Sequence, residues 1–273
     1  MKEIDSLVEL QNIEFDILCY IDKVCKKNQL RYFLAGGTLL GAVRHKNFIP
    51  WDDDMDISMP RPDYDKLVDI FDAEANKDNS PYKIIKLCNE YSYCMPFIKI
   101  VDTRTVMYAR TKTEFQGEAF GVFVDVFPID GVSDKNNVRT ILKIRDNSFA
   151  LARSYSTYKN LTVRGFFKVV IRKVKYGLTN REVQFEKMQN ELRKNSFDTS
   201  PFVMSTFGMR GKKEVIEQRC FSDAINAEFR GAKFPIPVGY KQYLTQMYGD
   251  YMTPPPENNR ESTHDYIGYW KDD

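Results

Sequence analysis

Asp52, Asp53, Asp54 and Asp56 crowd four carboxylates into five positions, and the cations nearest in sequence are Arg44, His45 and Lys46. Two carboxylates about 4 Å apart repel by roughly 4 kcal/mol at an effective dielectric near 20. A hard divalent cation relieves that repulsion, and an all-oxygen donor set suits Mg²⁺ or Mn²⁺ better than zinc, which prefers cysteine or histidine. A calcium loop of the EF-hand type would use Asp52, Asp54 and Asp56 as its first ligands. It fails at Ile57, where glycine is required, and at Asp63, where a bidentate glutamate belongs. In a strand, side chains alternate faces, so Asp54, Asp56 and Ser58 point one way while Met55, Ile57 and Met59 point the other. One face is core and the other a charged cleft, a split that a solvated acidic turn does not explain.

The elements that must position this cluster lie on either side of it. Upstream, Tyr32 to Ala35 reads as a strand broken by Gly36-Gly37, and a helix follows from Thr38 to about His45 with Thr38 as its cap. A strand, a glycine turn and a helix N-terminus together form an anion site, because unpaired N–H groups and the helix dipole face the turn. Downstream, Asp125 stands in the hydrophobic run from Gly121 to Gly131. A carboxylate there is costly to bury unpaired. With its strand beside that of Asp54 and Asp56, it completes a three-carboxylate metal site; alternatively it binds the backbone of a neighbouring turn. Asp130-Gly131 reads as the turn that ends the strand. Lys99, between apolar neighbours, is either an edge-strand gatekeeper or a phosphate-neutralising lysine in the cleft.

Around this centre, apolar residues at helical spacing predict an amphipathic helix over about Ile4 to Lys27. Pro60 and Pro62 end the aspartate strand, and a helix resumes at Tyr64. Tyr82 to Leu87, Pro96 to Val101 and Thr105 to Tyr108 read as successive strands. Glu182 to Asn195 is a polar helix, Tyr240 to Tyr248 a helix ending at Gly249, and Asp250 to Arg260 an extended proline segment.

With 273 residues, 42% hydrophobic and 14% aromatic, the chain can bury a large core, which excludes wholesale disorder. Five cysteines without a CxxC pair or zinc spacing point to free thiols in a reducing compartment. Met1 to Asp5 is acidic where a signal peptide would be basic, and no run of about 20 apolar residues occurs. The reading is a cytoplasmic protein without a transmembrane anchor. From Val138 to Arg181, eleven lysines and arginines stand against Asp146 alone, so the remaining chain is net acidic. Over 164–178, Phe166, Phe167, Val169, Val170, Ile171 and Val174 interleave with Lys168, Arg172, Lys173 and Lys175, the pattern of a basic interfacial helix. Its expected partner is the inner face of an anionic membrane or a polyanionic acceptor; no nucleic-acid recognition motif accompanies the charge.

Gly36-Gly37-Thr38-Leu39-Leu40-Gly41-Ala42-Val43-Arg44-His45 followed by Ile49-Pro50-Trp51-Asp52-Asp53-Asp54-Met55-Asp56-Ile57 resembles the signature of the LicD family of phosphocholine transferases, relatives of the fukutin-type phosphotransferases. Phe123 to Gly131 is similar to its second motif. Tyr248 to Met252, with Pro254, Pro255 and Arg260, is similar to a C-terminal one. The likeness runs from about Leu30 to Arg260 but passes over the basic block.

The resemblance implies an α+β chain with a nucleotidyltransferase-like mixed sheet flanked by helices, here with an added helical basic region. A catalytic core over 1–135, the basic region over 136–195 and a C-terminal part over 196–273 packing back on the core are the expected divisions. It implies Asp54, Asp56 and Asp125 as catalytic metal ligands, with Asp52 contributing, and two ions of Mg²⁺ or Mn²⁺. Gly36 and Gly37, with Thr38 behind them, would cradle the donor diphosphate, with Arg44, His45 or Lys99 adding positive charge. His45 could instead simply pack against the aspartate strand. The implied reaction moves a phospho-alcohol, phosphocholine first among them, from a CDP-alcohol to a sugar hydroxyl of a cell-surface glycan or teichoic acid precursor. Two other readings stand beside it: a nucleotidyltransferase consuming an NTP, and a non-catalytic scaffold at the membrane surface.

Overall fold

The computed structural model describes residues 1–87, 93, 95–109, 120–154, 165–167, 170–171, 174–175, 180–262 and 266–272. A short β1 (Lys2–Glu3) leads into α1 (Leu7–Asn28), capped by Ser6, whose hydroxyl accepts from the Glu9 N–H. Ile13, Ile17, Leu18, Ile21, Val24 and Cys25 recur at spacings of three and four and are buried, so the helix turns one apolar stripe to the core. β2 (Phe33–Leu34), α2 (Gly36–His45), β3 (Asp56–Pro60) and α3 (Arg61–Lys77) follow. Pro62 in the first turn of α3 is tolerated because no N–H is needed there.

β4 (Tyr82–Ile85), β5 (Ile98–Asp102), β6 (Thr105–Ala109) and β7 (Phe123–Val132) complete the first half. Beyond β7 come α4 (Lys135–Arg153), α5 (Arg181–Leu192), β8 (Phe202–Ser205), β9 (Val215–Glu217), the hairpin β10 (Ala224–Phe229) and β11 (Ala232–Pro237), α6 (Tyr240–Tyr248) and β12 (Tyr266–Trp270). The main sheet is mixed and has the order β2-β3-β7-β5-β4, with β8 on β7 and β9 on β8. Its one parallel pair among these is β3 with β7, the pair that aligns Asp56 with Asp125. A smaller antiparallel sheet, β1-β12-β6, ties the two ends of the described chain together. The architecture is α+β, as the sequence implied.

Three local expectations are corrected. Thr38 does not cap α2: the helix starts two residues earlier with Ala35 at its cap position, and the Thr38 hydroxyl instead accepts from the Asp56 N–H at 2.8 Å. Asp130-Gly131 is not a turn. β7 runs on through Val132 because β8 pairs with it there, and buried Asp130 is held by Arg61 at 2.6 and 2.8 Å and by the Thr206 hydroxyl. Lys99 is no edge-strand gatekeeper, since β5 lies between β7 and β4. Of the interfacial stretch 164–178, Arg164, Lys168, Val169, Arg172, Lys173, Tyr176, Gly177 and Leu178 lie outside the described residues. No helix among the described residues is long and apolar enough to cross a membrane.

Candidate active site

The start of α2 is what brings the acidic loop into order. Gly36 takes a left-handed φ of 53°, a conformation glycine adopts without steric cost. A Cβ on Gly36 would come 2.4 Å from Asp56 Oδ2, and one on Gly37 would come 2.4 Å from Asp52 Oδ2. The two glycines therefore let two carboxylates lie directly against the first turn of a helix, where the dipole favours negative charge. The chain is pinned there from three sides. The Ala35 N–H donates to the Asp56 carbonyl at 3.0 Å, the Thr38 hydroxyl holds the Asp56 N–H, and Gln11 Nε2 of α1 donates to the Asp52 carbonyl at 2.8 Å.

Carboxylate oxygens of Asp52, Asp53 and Asp54 all lie within 4.8 Å of one another. Asp56 and Asp125 stand beside this trio as register neighbours on β3 and β7, and the Asp125 N–H donates to the Met55 carbonyl at 2.8 Å. Asp56 keeps some surface, yet its carboxyl is enclosed. Burial, then the charges of Asp54, Asp125 and Asp52, pushes it well above the ordinary carboxylate range, while Lys99 pulls the other way. That crowding, the all-oxygen donor set and the two glycine approaches fit a hard divalent cation.

Lys99 enters the site from β5 and is buried. Its Nζ lies 2.6 Å from Asp125 Oδ1 and 3.2 Å from the centroid of Phe123. Of the two remaining cations expected here, Arg44 donates through Nη1 to the Tyr251 carbonyl at 2.9 Å and through Nε to His45 Nε2 at 2.9 Å. His45 thus serves as an acceptor, and burial together with the Arg44 charge lowers its pKa. It is the last residue of α2 and sits beside Arg44.

Further residues reach the site from distant segments, Tyr248 and Arg260 of the C-terminal motif among them. The C-terminal segment folds over the acidic loop: the Ser262 hydroxyl donates to Asp53 Oδ2, and the Arg260 guanidinium sits 5.4 Å from the Trp51 ring centroid. Tyr248 lies under Arg210, 4.3 Å from guanidinium carbon to ring centroid, and burial is the main cause that lifts its phenol to about 12. Glu14 of α1 is buried below the loop, and burial followed by the charges of Asp54, Asp53, Asp52 and Asp56 raises its carboxyl well above the usual range. The one readable hint was its place on the apolar stripe of α1, where an acid does not belong.

Residues 29–171 match the family described as LicD/FKTN/FKRP, nucleotidyltransferase domain. Over 275 residues, spanning 97% of each chain, the protein is 32% identical to the lipopolysaccharide cholinephosphotransferase LicD of Haemophilus influenzae. A shorter likeness, 41% identity over 56 residues, links 20% of this chain to 11% of the ribitol 5-phosphate transferase FKRP of Homo sapiens.

Proposed function

The chain belongs to the LicD family of phosphotransferases, and from that premise we propose that it moves phosphocholine from CDP-choline to a sugar hydroxyl of a cell-surface glycan or its lipid-linked precursor. The observation that carries the reading is the packing of the acidic loop against the glycine start of α2, with Asp56 and Asp125 aligned across β3 and β7.

Asp52, Asp54, Asp56 and Asp125 would hold Mg²⁺ or Mn²⁺, with Asp53 brought to the same cluster. A metal bound there would supply charge neutralisation for the diphosphate and Lewis acidity toward the sugar hydroxyl. The first turn of α2, from Gly36 to Thr38, offers N–H groups to the donor phosphates. Asp125 takes the proton of the sugar hydroxyl; the sugar oxygen bonds to the phosphorus of phosphocholine as the bond from that phosphorus to the CMP oxygen breaks. Lys99, its Nζ 2.6 Å from Asp125 Oδ1, fixes the position of that carboxylate. CMP leaves as a phosphate monoester and needs no protonated leaving group, so no acid role falls to His45.

The basic block fits an acceptor presented at a membrane. Phe166, Phe167, Val170, Ile171 and Val174 recur at helical spacing and are between 39% and 65% exposed. Apolar side chains facing outward within a strongly basic stretch suit an anionic bilayer surface. Co-sedimentation with anionic but not neutral vesicles, lost in Phe167→Glu/Ile171→Glu, tests this part.

Calorimetry with CDP-choline, CDP-ribitol, CDP-glycerol and CTP, each with Mg²⁺ or Mn²⁺, tests the whole. Metal-dependent selection of CDP-choline is the expected result. A preference for CTP or another NTP with pyrophosphate release would replace the reading by a nucleotidyltransferase.

A further inference from the structure

α1 buries an apolar stripe, and one member of the stripe is an acid. Glu14 follows Ile13 and stands about one turn before Ile17 and Leu18; all four are buried, and Glu14 itself is 2% exposed. Its Oε2 has no hydrogen-bond partner. A carboxylate oxygen left without a donor in the interior is expensive, and folded proteins retain one where something else supplies the donor or the charge.

The neighbourhood says what that is. Gln11, one turn earlier on α1, donates to the Asp52 carbonyl at 2.8 Å, so this stretch of the helix forms the floor of the acidic loop. The charges that bear on Glu14 are those of Asp54, Asp53, Asp52 and Asp56, in that order. Glu14 is the most buried of these five acids, and its Oε2 is an acceptor left unused. A divalent cation above it answers both needs, because the ion offsets the combined charge and its coordinated water is a strong O–H donor.

We propose that Glu14 is a positioning residue of the cation site, its Oε2 accepting a hydrogen bond from water on the ion that the aspartate cluster would hold. The inference rests on the metal-dependent reading above and adds to it a residue from outside the aspartate motifs. It assigns α1 a part in the chemistry, since the helix then orients the ion from below while α2 and the strands hold it from the sides. Partners of this kind typically change metal affinity by roughly 10- to 100-fold when removed.

The test is Mn²⁺ titration of the full chain by calorimetry, paired with melting curves in chelator and in saturating Mn²⁺. If the wild type takes up no Mn²⁺, the metal-dependent reading falls and the assignment of Glu14 falls with it. Given wild-type binding, Glu14→Gln is expected to bind Mn²⁺ roughly 10- to 100-fold more weakly. In chelator Glu14→Gln should still melt cooperatively, which separates weaker Mn²⁺ binding from loss of the fold. Equal Mn²⁺ affinity in wild type and Glu14→Gln overturns the proposal while leaving the family reading intact. Should Glu14→Gln fail to fold, Glu14→Asp, which keeps the charge but withdraws it by one methylene, is titrated instead. Weaker Mn²⁺ binding supports the assignment and unchanged binding refutes it.

Discussion

Lys99 and Asp125 are cross-strand partners on β5 and β7, and their side chains close a buried ion pair with Nζ 2.6 Å from Oδ1. The ammonium also lies 3.2 Å from the centroid of Phe123 and 5.6 Å from that of Phe120, so ring faces as well as a carboxylate stabilise it. Asp125 is thereby balanced locally, although Asp56 is its neighbour on the other side.

Lys99→Met should therefore strip the compensation from a buried carboxylate that already faces another. Breaking a buried pair at one partner costs about 3–5 kcal/mol, so the denaturant midpoint is expected to fall sharply. The double variant Lys99→Met/Asp125→Leu should regain most of that stability while remaining without turnover. A single variant as stable as the wild type would show that the pair does not hold the two strands' charges in balance.

The two glycines of α2 give a second expectation with an internal order. Gly37→Ala drives a Cβ to 2.4 Å from Asp52 Oδ2, and Gly36→Ala does the same to Asp56 Oδ2 while also straining a φ of 53°. The left-handed conformation adds roughly 1–2 kcal/mol for a residue with a Cβ. Both variants should lose turnover and Mn²⁺ affinity, and Gly36→Ala should melt lower than Gly37→Ala. The reverse order of melting temperatures would mean that the displaced carboxylate, not the backbone, dominates.

Thr38 offers a cleaner probe of how the helix fixes the strand. Its hydroxyl accepts from the Asp56 N–H at 2.8 Å and is buried. Thr38→Val keeps the shape and removes the acceptor, leaving an N–H unsatisfied at a cost of about 1–3 kcal/mol. Chemical denaturation should register that loss, and metal titration should register a further one because Asp56 is no longer held in register with Gly36. A variant destabilised but with unchanged Mn²⁺ affinity would make the bond structural only.

Much of this was legible because strands impose a period of two. The alternation from Asp54 to Met59 set Asp56 apart from the core residues Met55, Ile57 and Met59, which are all buried; Ser58, expected on the charged face, is buried as well, so the polar face ends at Asp56. Asp125 was readable as a carboxylate needing a partner in an apolar strand, but Lys99 as that partner was not, since the pairing depends on register between segments 26 residues apart. Asp130 was misread for a related reason. Asp-Gly is a strong local turn signal, and only the distant β8 and Arg61 make continued strand and a buried carboxylate the better solution. Glu14 shows the remaining gap: helical periodicity marked its face as core, and an acid on that face reports chemistry that comes from the loop above it.

Away from the carboxylate cluster, a single buried acid ties stability to pH. Glu214, 5% exposed, fits behind Gly208, where a Cβ would come 2.5 Å from its carboxyl group, and it accepts from the Arg210 N–H at 3.2 Å. Burial pushes its carboxyl from 4.5 up to about 7, against the opposing pull of the Arg210 hydrogen bond and of Arg210 and Arg145. In the unfolded chain the group ionises first, near its ordinary value. Its contribution to stability is therefore fully present below that value, declines as pH rises toward about 7, and is lost above it, a change on the order of 3 kcal/mol. Glu214→Gln should melt higher than the wild type at about pH 8, with the difference shrinking as pH falls through the interval. Melting curves at closely spaced pH values decide the matter: if the two proteins trace parallel profiles across that range, Glu214 is not the group whose ionisation weakens the fold.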